Sequence, residues 1–172
     1  AREGEIGFVA VYDDGHVFEF ALAETGELAG AMATDASVVV DEDDTTADLI
    51  AAAQRRTRDA DGFDPANDAR LVLVKLLIGV GRARRGELLN AGQFVRTWAV
   101  NHLVRAVRGR NEQASTDQRD RIDPVRRFER DHPDIAARID LALAQDVEHA
   151  ARDLHALMRD VLEPGWDEFP SV

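Results

Sequence analysis

Residues 75–102 constrain the fold of this chain more than any other segment. Their sequence, KLLIGVGRARRGELLNAGQFVRTWAVNH, contains two apolar segments of helical character that meet at the charged junction 84–87. Apolar residues on both sides predict that this junction lies close to the core. Upstream, Asp64 and Pro65 form a pair typical of a helix N-cap and first turn. We therefore expect a central pair of helices joined by a short charged turn.

The first helix of this pair is expected to be central, because apolar residues surround nearly its whole circumference. The second helix is expected at residues 86–108, and its tryptophan is assigned to the core. Its predicted buried stripe consists of Ala91, Val95, Trp98 and His102. A polar loop is predicted at residues 109–118. Shorter helices are expected after it, and a last long helix is expected to end near Leu162.

Residues 5–23 predict a β-hairpin, because two β-rich runs flank the sequence Asp13-Asp14-Gly15. In the second run both faces are apolar apart from Glu19, as in a sheet that is covered on both sides. Residues 37–41, SVVVD, predict a further strand, and residues 46–58 predict a helix. The acidic, glycine-containing segment 59–62 then predicts a domain boundary.

These elements predict an α+β fold in which a partial antiparallel or mixed β-sheet precedes a helical bundle. The predicted domains are residues 1–62, with the strands, and residues 63–172, with the bundle. Two or three strands are few for a sheet with two apolar faces. We therefore expect the rest of the sheet to come from a missing amino-terminal segment or from another chain.

The composition indicates a globular protein that is not a general nucleic-acid binder. The formal net charge is −12, whereas phosphate neutralisation requires a concentrated basic surface. The absence of cysteine excludes disulfides and thiol chemistry. The apolar run 71–80 is shorter than the roughly 20 residues of a membrane span, and the first residues lack the pattern of a signal peptide. A cytoplasmic protein without a membrane partner is expected. Lys75 is conspicuous as the single lysine.

Several short motifs occur in an order that is found in a known family. Glu19 lies between two phenylalanines, the predicted strand SVVVD ends in an aspartate, and Arg85-Gly86-Glu87 joins the two helices with Ala91 four residues further on. In this order most of the chain resembles the later part of aminoglycoside and lincosamide nucleotidyltransferases, which belong to the polymerase-β-like superfamily. The Gly-Ser pair followed by Asp-x-Asp, which is the superfamily's best signature, is absent from this sequence.

The resemblance implies that a longer parent protein transfers a nucleoside monophosphate from a nucleoside triphosphate such as ATP to a hydroxyl of a small, antibiotic-like acceptor, with Mg²⁺ as cofactor. Glu19 would be the third metal-binding carboxylate, and Glu87 would orient the acceptor or act as its base. The triphosphate would contact Lys75, Arg82, Arg84 and Arg85. Because one carboxylate cannot hold such a metal site, this chain alone is expected to be inactive. Glu19 and Glu87 are expected to border one cavity.

Each candidate also has a structural interpretation that involves no ligand. Glu19 can lie on a solvated sheet face or pair with an arginine. Glu87 can interact favourably with the dipole at a helix amino terminus. The Lys75 side chain can extend along an apolar helix until its ammonium group reaches water, and the arginines can neutralise nearby acids.

Two further functions stay open from the sequence. The first is a helical ribonuclease of the HEPN group, whose members carry an arginine followed by a histidine, as in Arg96/His102 and Arg127/His132. On a continuous α-helix, however, residues 96 and 102 would be about 120° apart. The second is a non-catalytic interaction module, in which an unpaired sheet edge binds a partner chain or forms a homodimer.

Overall fold

The computed structural model describes residues 6–34, 36–42, 44–59, 63–110, 123–167 and 169–170. The chain divides into two units, Ala1–Ala60 and Asp61–Val172. Among the described residues an antiparallel sheet is followed by helices, so the predicted α+β class is confirmed. Residues 60–62 of the predicted boundary and 111–118 of the predicted loop lie outside the described residues. No helix in the described ranges combines the length and the apolar character needed to cross a lipid bilayer.

The predicted hairpin forms from strands β1 (Ile6–Val11) and β2 (Val17–Leu22). The strands pair in an antiparallel register that places Phe8 opposite Phe20, and these two rings stack with their centroids 4.8 Å apart. The turn uses the predicted Asp-Asp-Gly sequence, in which Gly15 has a φ of +87°. The hairpin prediction is therefore confirmed.

Both faces of this hairpin are apolar and open. Each of the following side chains is at least 43% exposed: Ile6, Phe8, Val9, Val11, Val17, Phe18, Phe20 and Leu22. The described residues thus do not supply the cover that the sequence pattern predicts for this sheet. That a missing segment or another chain supplies it stays a prediction.

The predicted third strand at residues 37–41 is wrong. The described residues contain no strand there, and Val39 and Val40 are highly exposed. A strand requires a neighbour for its backbone N–H and C=O groups, and this segment has no such neighbour in the part of the chain that the structure describes. Its last residue, Asp41, instead accepts a hydrogen bond from the backbone nitrogen of Ala47 at 2.7 Å. It thereby stabilises the start of helix α1 (Thr45–Asp59), which confirms the predicted helix.

The second unit begins with the predicted central pair of helices. Helix α2 (Pro65–Arg84) starts with Asp64, whose carboxylate accepts from the backbone nitrogen of Asn67 at 2.9 Å. The helix ends at Gly86, whose φ of +80° is unfavourable for any residue with a Cβ atom. The chain then continues into the second helix of the pair, so the predicted cap is confirmed. The prediction that the charged junction lies close to the core is wrong, because the side chains of Arg84 and Arg85 are 69% and 60% exposed.

This second helix runs through residues 88–110 in three segments, α3 (Leu88–Gly92), a π-helical segment (Gln93–Ala99) and α4 (Val100–Arg110). Its buried positions include Ala91, Val95, Ala99 and Leu103, which are spaced four residues apart. The assignment of Trp98 to the core is wrong, because this side chain is 39% exposed. The wider turns of a π segment place buried residues four apart here and move Trp98 off the buried stripe.

Three further helices complete the described part of the unit: α5 (Phe128–Asp131), α6 (Pro133–Leu143) and α7 (Val147–Leu162). The core lies mainly between α2, the 88–110 helix and α7. Its largest fully buried side chains include Leu103, Leu154, Leu157, Met158 and Leu162. The prediction that α2 is buried around its whole circumference is wrong, because Val74, Leu77 and Ile78 form an exposed stripe. The core partners contact the other side of this helix.

A glycine allows α2 and the π-helical segment to approach closely. A Cβ atom on Gly79 would lie 2.5 Å from Val95 Cγ2 and 3.3 Å from the carbonyl oxygen of Ala91. Two helices that touch at a glycine have no room for an added methyl group unless one of them moves. The relative position of the two helices therefore depends on this contact.

We expect Gly79→Ala to lower the free energy of unfolding by about 1–3 kcal/mol, because the methyl group overpacks the helix contact. Gly81→Ala, two residues further along the same helix, is the matched control. A Cβ there meets only Arg85 Nη1 at 3.6 Å, so this variant should gain about 0.5–1 kcal/mol from the higher helix propensity of alanine. Urea unfolding followed by circular dichroism measures both. Equal effects of the two substitutions would contradict the close contact at Gly79.

Candidate functional site

Two of the residues that the sequence singled out, Lys75 and Arg82, lie against the same aromatic ring. The Lys75 ammonium nitrogen lies 5.7 Å from the ring centroid of Phe94, and the guanidinium carbon of Arg82 lies 5.4 Å from the same centroid. We use the name Phe94 cluster for Lys75, Arg82, Arg85, Glu87, Phe94 and Trp98. The first three were predicted to bind phosphate, and the structure places them together with Glu87.

The aromatic members of the Phe94 cluster form an edge-to-face pair with centroids 4.4 Å apart. Lys75 Nζ also lies 5.5 Å from the Trp98 centroid, so its charge interacts with both rings. It forms no salt bridge with any described residue. Its side chain therefore does not simply extend into water, and its positive charge is not neutralised by a carboxylate.

Phe94 and Trp98 were missed as site residues by the sequence reasoning. An aromatic residue on an apolar helix is predicted to belong to the core, and in a regular α-helix Trp98 would lie on the predicted buried stripe. The π-helical segment turns both rings towards Lys75 instead. No pattern in the sequence signals a π segment, so this part of the site was not predictable.

The carboxylate of Glu87 is held by two arginines. Arg85 Nε donates to its Oε1 at 2.9 Å, and Arg82 Nη1 donates to its Oε2 at 2.6 Å. These hydrogen bonds, first that of Arg85 and then that of Arg82, hold the pKa of Glu87 below its ordinary value. Glu87 is thus a weak proton acceptor that orients two cations. That Glu87 acts as a base stays a prediction. The hydrogen bonds from the two arginines oppose its protonation and therefore this role.

Glu19 lies in the first unit, on β2, opposite Val9 and exposed to solvent. Among the described residues, no group of three or more histidine, aspartate and glutamate side chains is arranged to hold a metal ion. The role of Glu19 as a magnesium ligand and its predicted proximity to Glu87 therefore stay predictions.

The sequence reasoning also missed a buried carboxylate. Asp68 on α2 is 2% exposed and accepts hydrogen bonds from Arg105 Nε at 3.0 and 3.2 Å. The Nδ1 atom of His102 lies 2.9 Å from the same carboxylate. An available signal was the helical spacing of Asp68 with the buried residues Val72 and Leu76, which places it on the buried side of α2.

The arginine–histidine pairs of the ribonuclease hypothesis have separate partners. Arg96 Nη2 donates to the backbone oxygen of Gln145 at 2.6 Å, whereas His102 contacts Asp68. In the second pair, Arg127 is the N-cap residue of α5 and His132 follows that helix. The ring of His132 packs 4.9 Å from that of Phe128. Arg96 and His102 thus contact different groups, and the structure adds no support to this hypothesis for that pair.

His132 lies beside a buried ion pair. Arg108 is 4% exposed and donates to Asp131 Oδ2 at 2.9 Å and to the backbone oxygen of Pro124 at 2.8 Å. Burial, followed by the charge of Arg108, lowers the pKa of His132 from its ordinary value of 6.5, and Asp131 opposes this effect. The neutral form of the imidazole is therefore favoured in the folded chain.

No protein-family model, curated protein or solved structure matches this chain. The relationship to nucleotidyltransferases consequently stays a prediction. What can be argued about function rests on the contacts within the second unit.

The lowered pKa of His132 predicts a dependence of stability on pH. Below about pH 6.5 the unfolded chain binds a proton at this residue more readily than the folded chain does. The contribution of neutral His132 to the free energy of unfolding is thus complete above that pH. It is lost as the pH falls below that value towards the folded-state pKa. We expect His132→Gln to lose less stability than the natural chain between about pH 7.5 and about pH 5.5, measured by urea unfolding. His16→Gln, at an exposed histidine, should follow the natural chain. An unchanged pH dependence in His132→Gln would contradict the assignment.

Proposed function

We propose that this chain is the carboxyl-terminal part of a nucleotidyltransferase and that its helical unit binds a nucleoside triphosphate together with a small-molecule acceptor. The parent protein would transfer a nucleoside monophosphate to a hydroxyl of that acceptor. The single observation that carries the proposal is the Phe94 cluster, in which Lys75 and Arg82 lie against an accessible pair of aromatic rings.

The chemistry of the Phe94 cluster suits a nucleotide. Nucleobases stack on aromatic side chains, and each such contact is worth about 1–3 kcal/mol. Trp98 is accessible enough to offer a ring surface. Lys75 and Arg82 would bind the phosphates, since the lysine has no carboxylate partner among the described residues and the Nε atom of Arg82 is buried without a hydrogen-bond partner there. The cluster thus offers both a stacking surface and positive charge.

The overall charge favours a small anion over a nucleic acid as the ligand. The chain carries a formal net charge of −12, which repels an extended phosphate backbone. The Phe94 cluster contains three cations and only one carboxylate. A local excess of positive charge on an acidic protein can bind a triphosphate without binding a polymer.

The magnesium part of the proposal depends on residues beyond those described. Mg²⁺ would neutralise charge on the phosphates and orient them when it is bound. The described residues do not fit a complete site of this kind, because Glu19 alone matches the family's metal-binding carboxylates. We therefore place the metal site mostly on a missing segment, and we expect no transfer by this chain alone.

A non-catalytic interaction module is the second candidate, and the open hairpin favours it. Apolar side chains cover both faces of β1 and β2, and exposed apolar surface of this kind is typical of a binding site for another polypeptide. A homodimer or a complex with a missing amino-terminal segment would bury it. The two candidates are compatible, since the nucleotide site lies in the other unit.

The first test is a titration of ATP followed by tryptophan fluorescence. The chain has two tryptophans, so the Trp166→Phe background reports Trp98 alone. We expect ATP to quench this signal, and Lys75→Ala to weaken binding about tenfold, which is about 1.4 kcal/mol. Arg70→Ala removes a charge elsewhere on α2 and should leave the affinity unchanged.

A second measurement is calorimetry with Mg²⁺ and ATP. It is done on this chain and on an amino-terminally extended form. The extended form should bind Mg²⁺ and ATP together more tightly. If this chain and the extended form bind Mg²⁺ and ATP equally tightly, the proposal that the metal site lies mostly on a missing segment is wrong. Absence of ATP binding by both, or equal losses in Lys75→Ala and Arg70→Ala, would contradict the nucleotide site.

A further inference from the structure

The buried carboxylate of Asp68 determines which nitrogen of His102 can accept a proton. Arg105 donates its Nε–H to both oxygens of this carboxylate, and His102 Nδ1 lies 2.9 Å from Oδ1. Because both oxygens accept from the Arg105 guanidinium group, the carboxylate also acts as the acceptor in its contact with His102. The Nδ1 atom of the neutral imidazole therefore carries the proton. His102 Nε2 is left as an acceptor.

These residues continue the Phe94 cluster along the same pair of helices. On α2, one face contains Asp68, Lys75 and Arg82 at intervals of seven residues; on the 88–110 helix, one face contains Phe94, Trp98, His102 and Arg105. We call these seven residues the polar row. Contacts join the two helices along it, between Asp68 and His102 at one end and between Arg82 and Phe94 at the other. His102 lies one helical turn from Trp98, a rise of about 6 Å.

The imidazole is accessible and firmly positioned. The side chain of His102 is 24% exposed, and its Nε2 atom has no hydrogen bond to any residue in the described ranges. Arg105, the other partner of Asp68, packs with its guanidinium carbon 5.0 Å from the ring centroid of Phe63. A Cβ on Gly109 would lie 3.0 Å from Phe63 Cβ and 3.1 Å from its backbone oxygen, so the end of α4 packs closely against the base of this side chain.

Glu87 and His102 differ in what surrounds them. Two hydrogen-bonding arginines stabilise the ionised form of Glu87 and oppose its protonation. The carboxylate behind His102 has the reverse effect, because it stabilises the positive charge that develops when the ring accepts a proton. Of Glu87 and His102, the histidine is thus the group whose surroundings favour its acting as a proton acceptor.

We propose that His102, positioned by Asp68, is the proton acceptor for a ligand hydroxyl bound along the polar row. This inference rests on the proposed function, in which that hydroxyl is the acceptor of nucleotidyl transfer. The hydroxyl proton moves to His102 Nε2, and the oxygen forms a bond to the α-phosphorus of the nucleoside triphosphate. The bond between that phosphorus and the bridging oxygen to the β-phosphorus breaks, and pyrophosphate leaves with the electron pair. Asp68 is a positioning residue, since it acts through the imidazole.

Nitrogen NMR of the unmodified chain tests the tautomer without any ligand or substitution. We expect the signals of His102 to show a protonated Nδ1 and an unprotonated Nε2 at neutral pH. The opposite tautomer would overturn the proposal. This measurement is independent of nucleotide binding, so its failure is distinguishable from failure of the ATP titration.

Carbethoxylation by diethyl pyrocarbonate, followed by mass spectrometry of the peptides, tests reactivity and location. His149 is an internal control, because its Nδ1 also lies 2.6 Å from a carboxylate, that of the exposed Asp146. We expect Asp68→Asn to slow the reaction of His102 roughly tenfold, while His149 reacts as before. Asp140→Asn, at an exposed position, should change neither rate.

The same reaction in the presence of saturating ATP tests whether His102 borders the ligand. We expect ATP to protect His102 but not His149, and Lys75→Ala to require about tenfold more ATP for the same protection of His102. If ATP binds and His102 stays unprotected, the placement of this residue at the ligand is wrong. If Asp68→Asn folds and His102 reacts at an unchanged rate, the positioning role of Asp68 is wrong. If Asp68→Asn fails to fold, the NMR measurement on the unmodified chain and the protection experiment decide the proposal.

Discussion

The close contact between α2 and the π-helical segment at Gly79 is the constraint on which the second unit depends. At this point the helices are too close for a methyl group, because the space beside Gly79 is filled by Val95 Cγ2, the carbonyl oxygen of Ala91 and Phe94 Cβ. The residues on either side of Gly79 are therefore also fixed in position relative to the second helix. Lys75 and Arg82, four residues before it and three after it, are held against the Phe94 ring. A looser helix pair would not keep an ammonium group, a guanidinium group and two rings in fixed relation.

The polar row combines two kinds of chemistry along one helix pair. At one end, Arg82 and Lys75 lie against aromatic rings and favour an anionic, stacking ligand. At the other end, a buried carboxylate fixes a histidine whose outer nitrogen is free to accept. The charged groups at the junction between the helices pair with each other, so Glu87 positions Arg82 and Arg85 more than it titrates. In the proposed function, the ligand therefore binds at one end of the row and proton transfer takes place at the other end.

Local signals made much of the fold predictable, whereas the parts that failed depend on distant partners. The hairpin turn, the Asp64 cap and the glycine at the helix junction each follow from the conformational preferences of a few adjacent residues. The strand at 37–41 failed because a strand needs a neighbour, and its aspartate stabilises α1 instead. Trp98 was misplaced because a π segment changes which residues share a face and leaves no mark in the sequence. The charged members of the site were predictable from their contrast with apolar surroundings. The role of the aromatic rings was not, because it depends on contacts between helices. The burial of Asp68 had a signal in its helical spacing, but its partners His102 and Arg105 lie on another helix.

The open hairpin has a consequence for how the chain behaves in solution. In the part of the chain that the structure describes, β1 and β2 pair only with each other. Apolar, aromatic strands with open edges of this kind are a template onto which further strands can add, as in the early steps of aggregation. Mutual repulsion between chains that each carry a net charge of −12 opposes this self-association at low ionic strength. Salt shortens the range of that repulsion to about 3 Å at 1 M and at the same time strengthens apolar association when the anion is a kosmotrope. The colloidal stability of the isolated chain is therefore tied to the solvent, unless another polypeptide covers β1 and β2.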